Sequence, residues 1–373
     1  MRIAVIGAGM AGSAAALALA RRGAAVTLFD RFAFGHALGA SHGATRLFRT
    51  AYFEKPDYVP LLQRSLGLWR SLEEAAGERL FHQTGLLEAG PPDGFLMRGL
   101  NRAIAAHGLP VRRPGAGELA RSFPQLSVPA DFEAIFEQEA GFILADKTLA
   151  AQIRLARAAG AMLRPSTRIN AWARTRAGVA LRTDDGDETF DRAVIAAGPW
   201  ANDLLNLPTA AVTPVPKTLF WRRAASDAFD LDRGFAPFGI ETDDAKFFYG
   251  FPAIDEHGVK IAEHTGGAGV ARAEDRGDEP APGEAASLER FLSATIPALA
   301  GRPGKFERCL YEMSADGDFL IDRHPDCDRV VFAAGLSGHG FKFAPVLGEA
   351  LAAMSLDDQA PAGWEFLSLA RFA

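Results

Sequence analysis

The chain has 373 residues, of which 48% are hydrophobic and 23% charged, and its 46 acidic and 40 basic side chains give a formal net charge of −6. This length exceeds one ordinary hydrophobic core and predicts two domains, while the near balance of charge excludes a global field for nucleic acid or an anionic membrane. Two cysteines exclude a disulfide framework, so a reducing cytoplasm is expected, and no segment has the roughly 18 consecutive apolar residues of a membrane span.

The first element is a β-turn-α-β unit. An apolar strand at 2–6 precedes GAGMAG at 7–12, a helix to Gly23 and a second strand at 25–30. Glycines interrupt this apolar start, so we interpret it as structure and not as a signal peptide. In a dinucleotide fingerprint the three glycines (Gly7, Gly9 and Gly12) serve the tight turn, the approach of the diphosphate and helix packing, and Asp30 accepts hydrogen bonds from ribose. An ordinary βαβ turn is the weaker interpretation. NAD and FAD both remain open at this point.

The elements that follow alternate between helices and strand-rich stretches. Apolar spacing predicts a helix at 57–76, with Leu62, Leu66, Trp69 and Leu72 on one face, and a β-meander with a turn at 186–188 that leads to a buried strand at 192–197. The other predicted elements are helices at 93–107 and 146–159, strands at 215–222, 246–251 and 258–264, a surface loop at 271–286, and a final strand-glycine-helix unit.

The order of these segments predicts the domain organisation. Segments 1–80, 145–211 and 309–373 are expected to form a nucleotide-binding domain, and segments 81–144 and 212–308 a strand-rich α+β substrate domain. A second buried strand that follows a meander and ends at Gly198 is not required in a nicotinamide dehydrogenase. The arrangement resembles the glutathione-reductase-like FAD fold, an α/β class.

Several ordered motifs carry a closer resemblance. They are SHGATRLFRTAY at 41–52, FYGFP at 248–252, VKIAEH at 259–264, CLY at 309–311, FLID at 319–322 and GLSGHGFKFAPVLGE at 335–349. With their spacing they resemble, nearly end to end, the monomeric sarcosine oxidase and N-methyltryptophan oxidase family of flavin-dependent amine oxidases. The last motif is most similar to the N-methyltryptophan oxidase branch.

The resemblance implies FAD, held covalently through the sulfur of Cys309. Without it, a lone cysteine is more often a small buried hydrophobe. The other residues implied in FAD binding are Gly7, Gly9, Gly12, Asp30, Arg31, Ser41, His42, Thr45, Arg46, Ile169, Gly198, Gly338, Gly340, Phe341 and Lys342.

The resemblance also implies the catalytic residues. Lys260 would support reduction of O₂, although strand alternation alone favours a solvent-facing lysine. Arg49 and Lys342 would hold the substrate carboxylate, and Tyr249 and His264 would shape the amine side. Tyr311, two residues after Cys309 on the same strand face, is a further catalytic candidate. Arg46 and Arg49 are three residues apart, which as one helical turn predicts that both face one site. Surface arginines are the competing interpretation, because 33 of the 40 basic residues are Arg.

The implied function is an FAD-dependent oxidase of N-methyl or N-alkyl α-amino acids that produces H₂O₂, acts as a monomer and needs no metal. Three alternatives stay open: a flavin dehydrogenase that passes electrons to another acceptor, a nicotinamide dehydrogenase, and a non-catalytic FAD-binding protein. The chain departs from the family where Ala44 replaces an acid and one histidine before Gly43 is missing. Gly239 lies where a larger side chain is expected, which predicts a roomier pocket.

Overall fold

The computed structural model describes residues 1–207, 210–302 and 304–372. In this part of the chain the α-helices are α1 (Met10–Arg21), α2 (Val59–Ala76), α3 (Phe95–His107), α4 (Ala116–Ser122), α5 (Ala145–Ala158), α6 (Ala201–Leu205), α7 (Glu284–Thr295) and α8 (Ala344–Leu356). The strands are β1 (Arg2–Ile6), β2 (Ala25–Phe29), β3 (Thr45–Phe48), β4 (Phe81–His82), β5 (Leu86–Gly90), β6 (Glu133–Glu137), β7 (Gly141–Leu144), β8 (Met162–Arg164), β9 (Ile169–Arg174), β10 (Val179–Thr183), β11 (Gly186–Phe190), β12 (Arg192–Ile195), β13 (Thr213–Arg222), β14 (Phe238–Glu241), β15 (Phe247–Phe251), β16 (Val259–Glu263), β17 (Phe306–Met313), β18 (Leu320–His324) and β19 (Cys327–Ala334).

A six-stranded sheet forms the nucleotide-binding half. Its order is β18-β19-β12-β1-β2-β8, and every pair except β18–β19 is parallel. Its central strand β1 is buried from Ile3 to Ile6, as expected for a parallel strand covered on both faces. Helices α1, α5 and α8 pack together on one side of the sheet. The α/β class predicted from the sequence is confirmed.

A seven-stranded, mostly antiparallel sheet forms the second half, in the order β17-β13-β16-β15-β14-β5-β6. One face packs its aliphatic and aromatic side chains against α7. The register assigns polar residues to the other face, because directly paired residues project to the same side. Tyr249 pairs with Gly239 and Ala262, and Gly239 also pairs with Glu88.

Two smaller sheets complete the fold. Strands β9, β10 and β11 form the predicted meander. The prediction of a turn at 186–188 is wrong, because these residues begin β11. Arg46 lies on strand β3, which pairs with β7. The prediction that one helical turn joins Arg46 and Arg49 is therefore also wrong. Alternation along an extended segment sends side chains three residues apart to opposite sides.

The strands show where the predicted domain boundaries fall. The six-stranded sheet draws on residues 2–29, 162–195 and 320–334, which lie inside the segments predicted for nucleotide binding. The boundary predicted before Cys309 falls inside β17, which pairs along its length with β13 in the second sheet. The two-domain division itself stays a prediction. No helix in the described ranges is long and apolar enough to span a bilayer.

Candidate active site

A cavity lies where the two large sheets meet. It encloses about 1500 Å³, part of it open to solvent. The segments that line it include the turn after β1, the end of β12, the middle of β17 and the loop that leads into α8. Because strands from both sheets contribute, one elongated ligand in this cavity would contact both halves of the molecule.

The turn after β1 is built for close approach. Gly7 has φ +98°, and a Cβ there would lie 2.3 Å from the carbonyl oxygen of Ala196. A Cβ at Gly12 would lie 1.8 Å from the carbonyl oxygen of Gly7, and one at Gly9 would lie 2.9 Å from Ser41 Oγ. The Met10 amide donates to Ser41 Oγ at 3.0 Å at the N-terminus of α1. Free amides and the positive helix end suit a diphosphate here.

Asp30 and the Trp200 ring mark the nucleoside end of the cavity. Asp30 accepts hydrogen bonds from the backbone amides of Ala8 (2.8 Å) and Phe32 (2.9 Å), and its carboxylate lines the cavity. Arg31 stacks its guanidinium 5.1 Å from the Trp200 ring, and Ile169 completes this wall. Sequence reasoning missed Trp200, although it directly follows the buried strand and glycine that indicated the fold.

Cys309 and Tyr311 lie at the opposite end. Cys309 is 2% exposed, carries a free thiol, and places Sγ 4.0 Å from Arg46 Nη2. The loop over these residues packs tightly, since a Cβ at Gly338 would lie 2.3 Å from the Tyr311 ring. Gly198, Gly340 and Phe341, which the resemblance implied in FAD binding, also line the cavity. This end can take a flat ring beside the sulfur.

His42 and Thr45 stand behind the cavity wall. The carbonyl oxygen of His42 accepts a 2.6 Å hydrogen bond from Arg46, and burial together with Arg46 lowers the pKa of its imidazole to about 3. The carbonyl oxygen of Thr45 accepts a 2.9 Å hydrogen bond from Lys260 Nζ. Both residues therefore position cations at the ring end, His42 through Arg46 and Thr45 through Lys260. Neither His42 nor Thr45 lines the cavity.

Lys260 is buried on the polar face of the seven-stranded sheet, not solvent-facing as spacing alone favoured. Its Nζ lies 5.1 Å from the Phe251 ring and 5.6 Å from the Trp221 ring. Burial and the neighbouring Arg46 lower its pKa to about 7. Near neutral pH it can therefore hold or release a proton beside the cavity.

The amine side of the site is uncharged. Tyr311 Oη lies 3.1 Å from His264 Nδ1, and burial lowers the pKa of His264 to about 3. Burial also raises the pKa of both the Tyr249 and Tyr311 hydroxyls. Three polar groups thus stay neutral through the physiological range. The space expected at Gly239 is filled, because a Cβ there would lie 2.7 Å from the Phe247 ring.

Arg49 is not free for a substrate. Its Nη1 donates to Glu88 Oε1 at 2.6 Å, and its Nη2 donates to both carboxylate oxygens of Glu54 at 2.6 and 2.8 Å. Lys342 lies near it, with both cations over the Tyr52 ring at 5.1 and 5.3 Å, and donates to the carbonyl oxygen of His339.

Two acidic residues of this cluster were missed from the sequence. Glu88 is 1% exposed, its Oε2 has no partner among the described residues, and burial raises its pKa to about 7 despite Arg49. The signal for Glu88 was a lone charge inside the apolar strand GLLEAG. Glu54 keeps a side chain that is 16% exposed.

The residues present fit the FAD implied by the resemblance. The glycine turn would be filled by any Cβ, the helix amides suit phosphate oxygens, and Asp30 suits sugar hydroxyls. A free sulfur stands at the end where the ring would lie. The cavity therefore has the parts that a dinucleotide with a flat reactive ring requires, in the order that such a ligand presents them.

Comparisons with known proteins agree with this geometry. The family model described as DAO, FAD dependent oxidoreductase, matches residues 2–354. The chain is 34% identical to the N-methyl-L-tryptophan oxidase of Yersinia pestis (strain Pestoides F) over 373 residues, covering 99% of this chain and 98% of the relative.

Two solved structures are similar in fold. NikD, an unusual amino acid oxidase essential for nikkomycin biosynthesis, superposes with a TM-score of 0.85 at 24% identity over 98% of this chain and 96% of its own. The L-proline dehydrogenase from P. horikoshii gives 0.84 at 22% over 100% and 97%. The findings together confirm the predicted fold class, the resemblance stated from the sequence, and a flavin-dependent amine oxidase as the class of enzyme.

Proposed function

The chain belongs to the family of FAD-dependent oxidoreductases, and on that premise we propose that it oxidises secondary-amine α-amino acids with N-methyl or N-alkyl groups and reduces O₂ to H₂O₂. The observation that carries the proposal is one face of the seven-stranded sheet. Lys217 pairs with Cys309, Lys260 with Trp221, and Tyr249 with Ala262, so polar residues of four strands share one sheet face, and Tyr249 and Cys309 on that face line the cavity.

The substrate carboxylate binds Arg49 and Lys342 in this proposal. Glu54 is the partner that leaves, because its side chain is partly exposed whereas Glu88 is buried. A bidentate contact with the guanidinium then fixes the direction of the Cα–N bond as well as the charge. Burial and Arg49 lower the pKa of Lys342 to about 7, so its help weakens as the pH rises through neutrality.

The neutral amine side selects the uncharged amine. Oxidation of a C–N bond needs the nitrogen lone pair, and the neutral imidazole and hydroxyl groups on this side carry no charge that would pair with the ammonium form. The carboxylates of Glu54 and Glu88 are engaged by Arg49. The neutral His264 and the Tyr311 hydroxyl bonded to it can accept a hydrogen bond from the amine N–H or donate one to the amine nitrogen. Flavin, when bound, supplies the acceptor for the hydride equivalent.

Lys260 favours an oxidase, in which O₂ accepts the electrons, over a dehydrogenase, in which another acceptor does. A buried ammonium group beside the ring end stabilises the negative charge that develops as O₂ is reduced. A dehydrogenase that passes electrons to a protein has no need for such a group. Cys309 Sγ is the proposed point of covalent attachment, and the monomeric state and cytoplasmic location stay predictions.

A panel of N-alkyl amino acids tests the function. We expect at least one member to bleach the flavin under anaerobic conditions and to yield about one H₂O₂ per imine in air. Bleaching without peroxide would favour the dehydrogenase, and no bleaching with any amine would refute the proposal. Acid denaturation tests the attachment: flavin should stay on the wild-type polypeptide and leave Cys309→Ser.

A further inference from the structure

Glu312 is an acidic residue that the substrate proposal does not use. It lies on β17 one residue after Tyr311, is 4% exposed and lines the cavity. Its Oε1 accepts one long hydrogen bond, 3.4 Å from the Leu336 amide, and its Oε2 has no partner among the described residues. A buried polar atom without a partner costs free energy, so a ligand that supplies one gains affinity.

The position of Glu312 in the cavity indicates which part of a bound ligand it would contact. Gly7 packs against Ala196 and Ala197, and the adjacent Gly198 places its Cβ position 3.7 Å from Glu312 Oε2. On its other side, Glu312 accepts the hydrogen bond from the Leu336 amide. The same loop continues to Gly338, which packs on the Tyr311 ring. Glu312 therefore lies between the turn suited to the diphosphate and the end suited to the ring.

We propose that the Glu312 carboxyl group donates a hydrogen bond to the hydroxyl-bearing chain that joins the diphosphate and the ring of bound FAD. This inference rests on the family and the cavity and is independent of the substrate proposed above. A carboxylic acid can donate as well as accept, whereas a carboxylate only accepts. The neutral form also avoids placing a second anion beside the diphosphate.

The surroundings favour the neutral form. Burial raises the pKa of Glu312 to about 8, opposed only by the hydrogen bond from Leu336. Its neighbours are apolar or glycine: Gly198, Leu336 and Pro214, its partner on β13. Within the described residues it makes no ion pair with the charged groups that share the cavity, which are Asp30, Arg31, His36, Arg46, Arg168 and Asp203.

Reversible FAD binding tests the proposal in full-length protein that carries Cys309→Ala. Dissociation constants are measured by quenching of flavin fluorescence between pH 6 and 9. With Glu312 present, the affinity for FAD should be constant at low pH. Above pH 8 it should fall by about tenfold per pH unit, because the free protein has then lost the Glu312 proton and must take it up again to bind FAD. Glu312→Gln, which keeps a donor and carries no charge, should bind as tightly as Glu312 at pH 6 and show no such fall. Glu312→Leu should bind at least tenfold more weakly at pH 6.

ADP provides the matched probe, since it carries the diphosphate without the hydroxyl chain. Its affinity, measured by competition with FAD, should be the same with Glu312 and with Gln at pH 6, where Glu312 is neutral. An equal fall in FAD affinity with pH for Glu312 and Gln would overturn the proposal, and so would a difference in ADP affinity between Glu312 and Gln at pH 6. If Glu312→Leu does not fold by circular dichroism, the comparison of Glu312 with Gln decides alone.

Discussion

In a Glu54→Gln background, replacing Glu88 by Gln should increase the affinity of the site for carboxylates at alkaline pH. The substitution removes a buried negative charge that now takes one side of Arg49, and the amide oxygen can still accept the hydrogen bond from Nη1. The substrate carboxylate is proposed to take the other side, where Glu54 binds at 2.6 and 2.8 Å. The wild type already places two carboxylates on this guanidinium, so exchanging Glu54 for the substrate leaves their repulsion unchanged. With Glu54→Gln, the substrate carboxylate becomes the second anion beside Glu88.

The magnitude follows from that geometry. Two carboxylates on opposite edges of a guanidinium are roughly 5 Å apart, and at an effective dielectric constant of about 20 their repulsion is about 3 kcal/mol, or about a hundredfold in affinity. Burial raises the pKa of Glu88 to about 7, so below that pH the group is protonated and the repulsion is absent. The advantage of Gln should therefore be small at pH 6 and approach the full value above pH 8.

Propionate is a suitable probe, because it has a carboxylate and no oxidisable amine. Its dissociation constant is measured from the change in the visible flavin spectrum of the holoenzyme. Lys342→Gln is the control for the second group that titrates near pH 7, and it should weaken binding where Glu88→Gln strengthens it. Glu241→Gln is matched in chemistry and sheet face, but both of its oxygens accept amides of α3, so affinity should not change. Equal propionate affinity for Glu54→Gln and for the double variant Glu54→Gln/Glu88→Gln at pH 8.5 would refute the shared-guanidinium geometry.

Three further predictions concern the sheet face, the glycine turn and Glu312. Lys260→Met should slow flavin reoxidation by O₂ at least tenfold in stopped flow and change anaerobic reduction little; equal slowing of both steps would contradict an oxygen-specific role. Gly7→Ala should lower the free energy of unfolding in urea by about 2 kcal/mol or more, whereas Gly23→Ala, with φ +82° and no atom within 4 Å, should show only the backbone cost. Glu312→Gln should stabilise the flavin-free protein increasingly with pH, by about 1.4 kcal/mol per unit between pH 4.5 and about 8, because the unfolded chain releases the proton in that window while the folded chain keeps it. A constant difference across this window would place the pKa of Glu312 elsewhere.

The nucleotide half was predictable because its signals are local. Turn geometry, helix start and strand period all lie within about 30 residues around GAGMAG, and the close contacts of Gly7 and Gly12 match the roles assigned to them. Lys260 and Cys309 were different. Spacing alone favoured a solvent-facing lysine and an inert cysteine, and the resemblance led to the opposite prediction. The structure buries both on one sheet face, while their chemical roles stay predictions.

Arg49 illustrates why the rest of the site could not be predicted. Its partner Glu88 is 39 positions away on β5 of the seven-stranded sheet, and local spacing holds no information on which buried charges meet. Arg49, Lys342, Glu54 and Glu88 form a cluster of two cations and two anions, which is formally neutral when all are ionised. A substrate carboxylate adds one negative charge, and burial makes that charge costly unless Glu88 is protonated or Glu54 moves into solvent. Substrate affinity in this chain is therefore set by a charge balance among residues that come together only in the folded protein, and identifying Arg49 alone does not determine it.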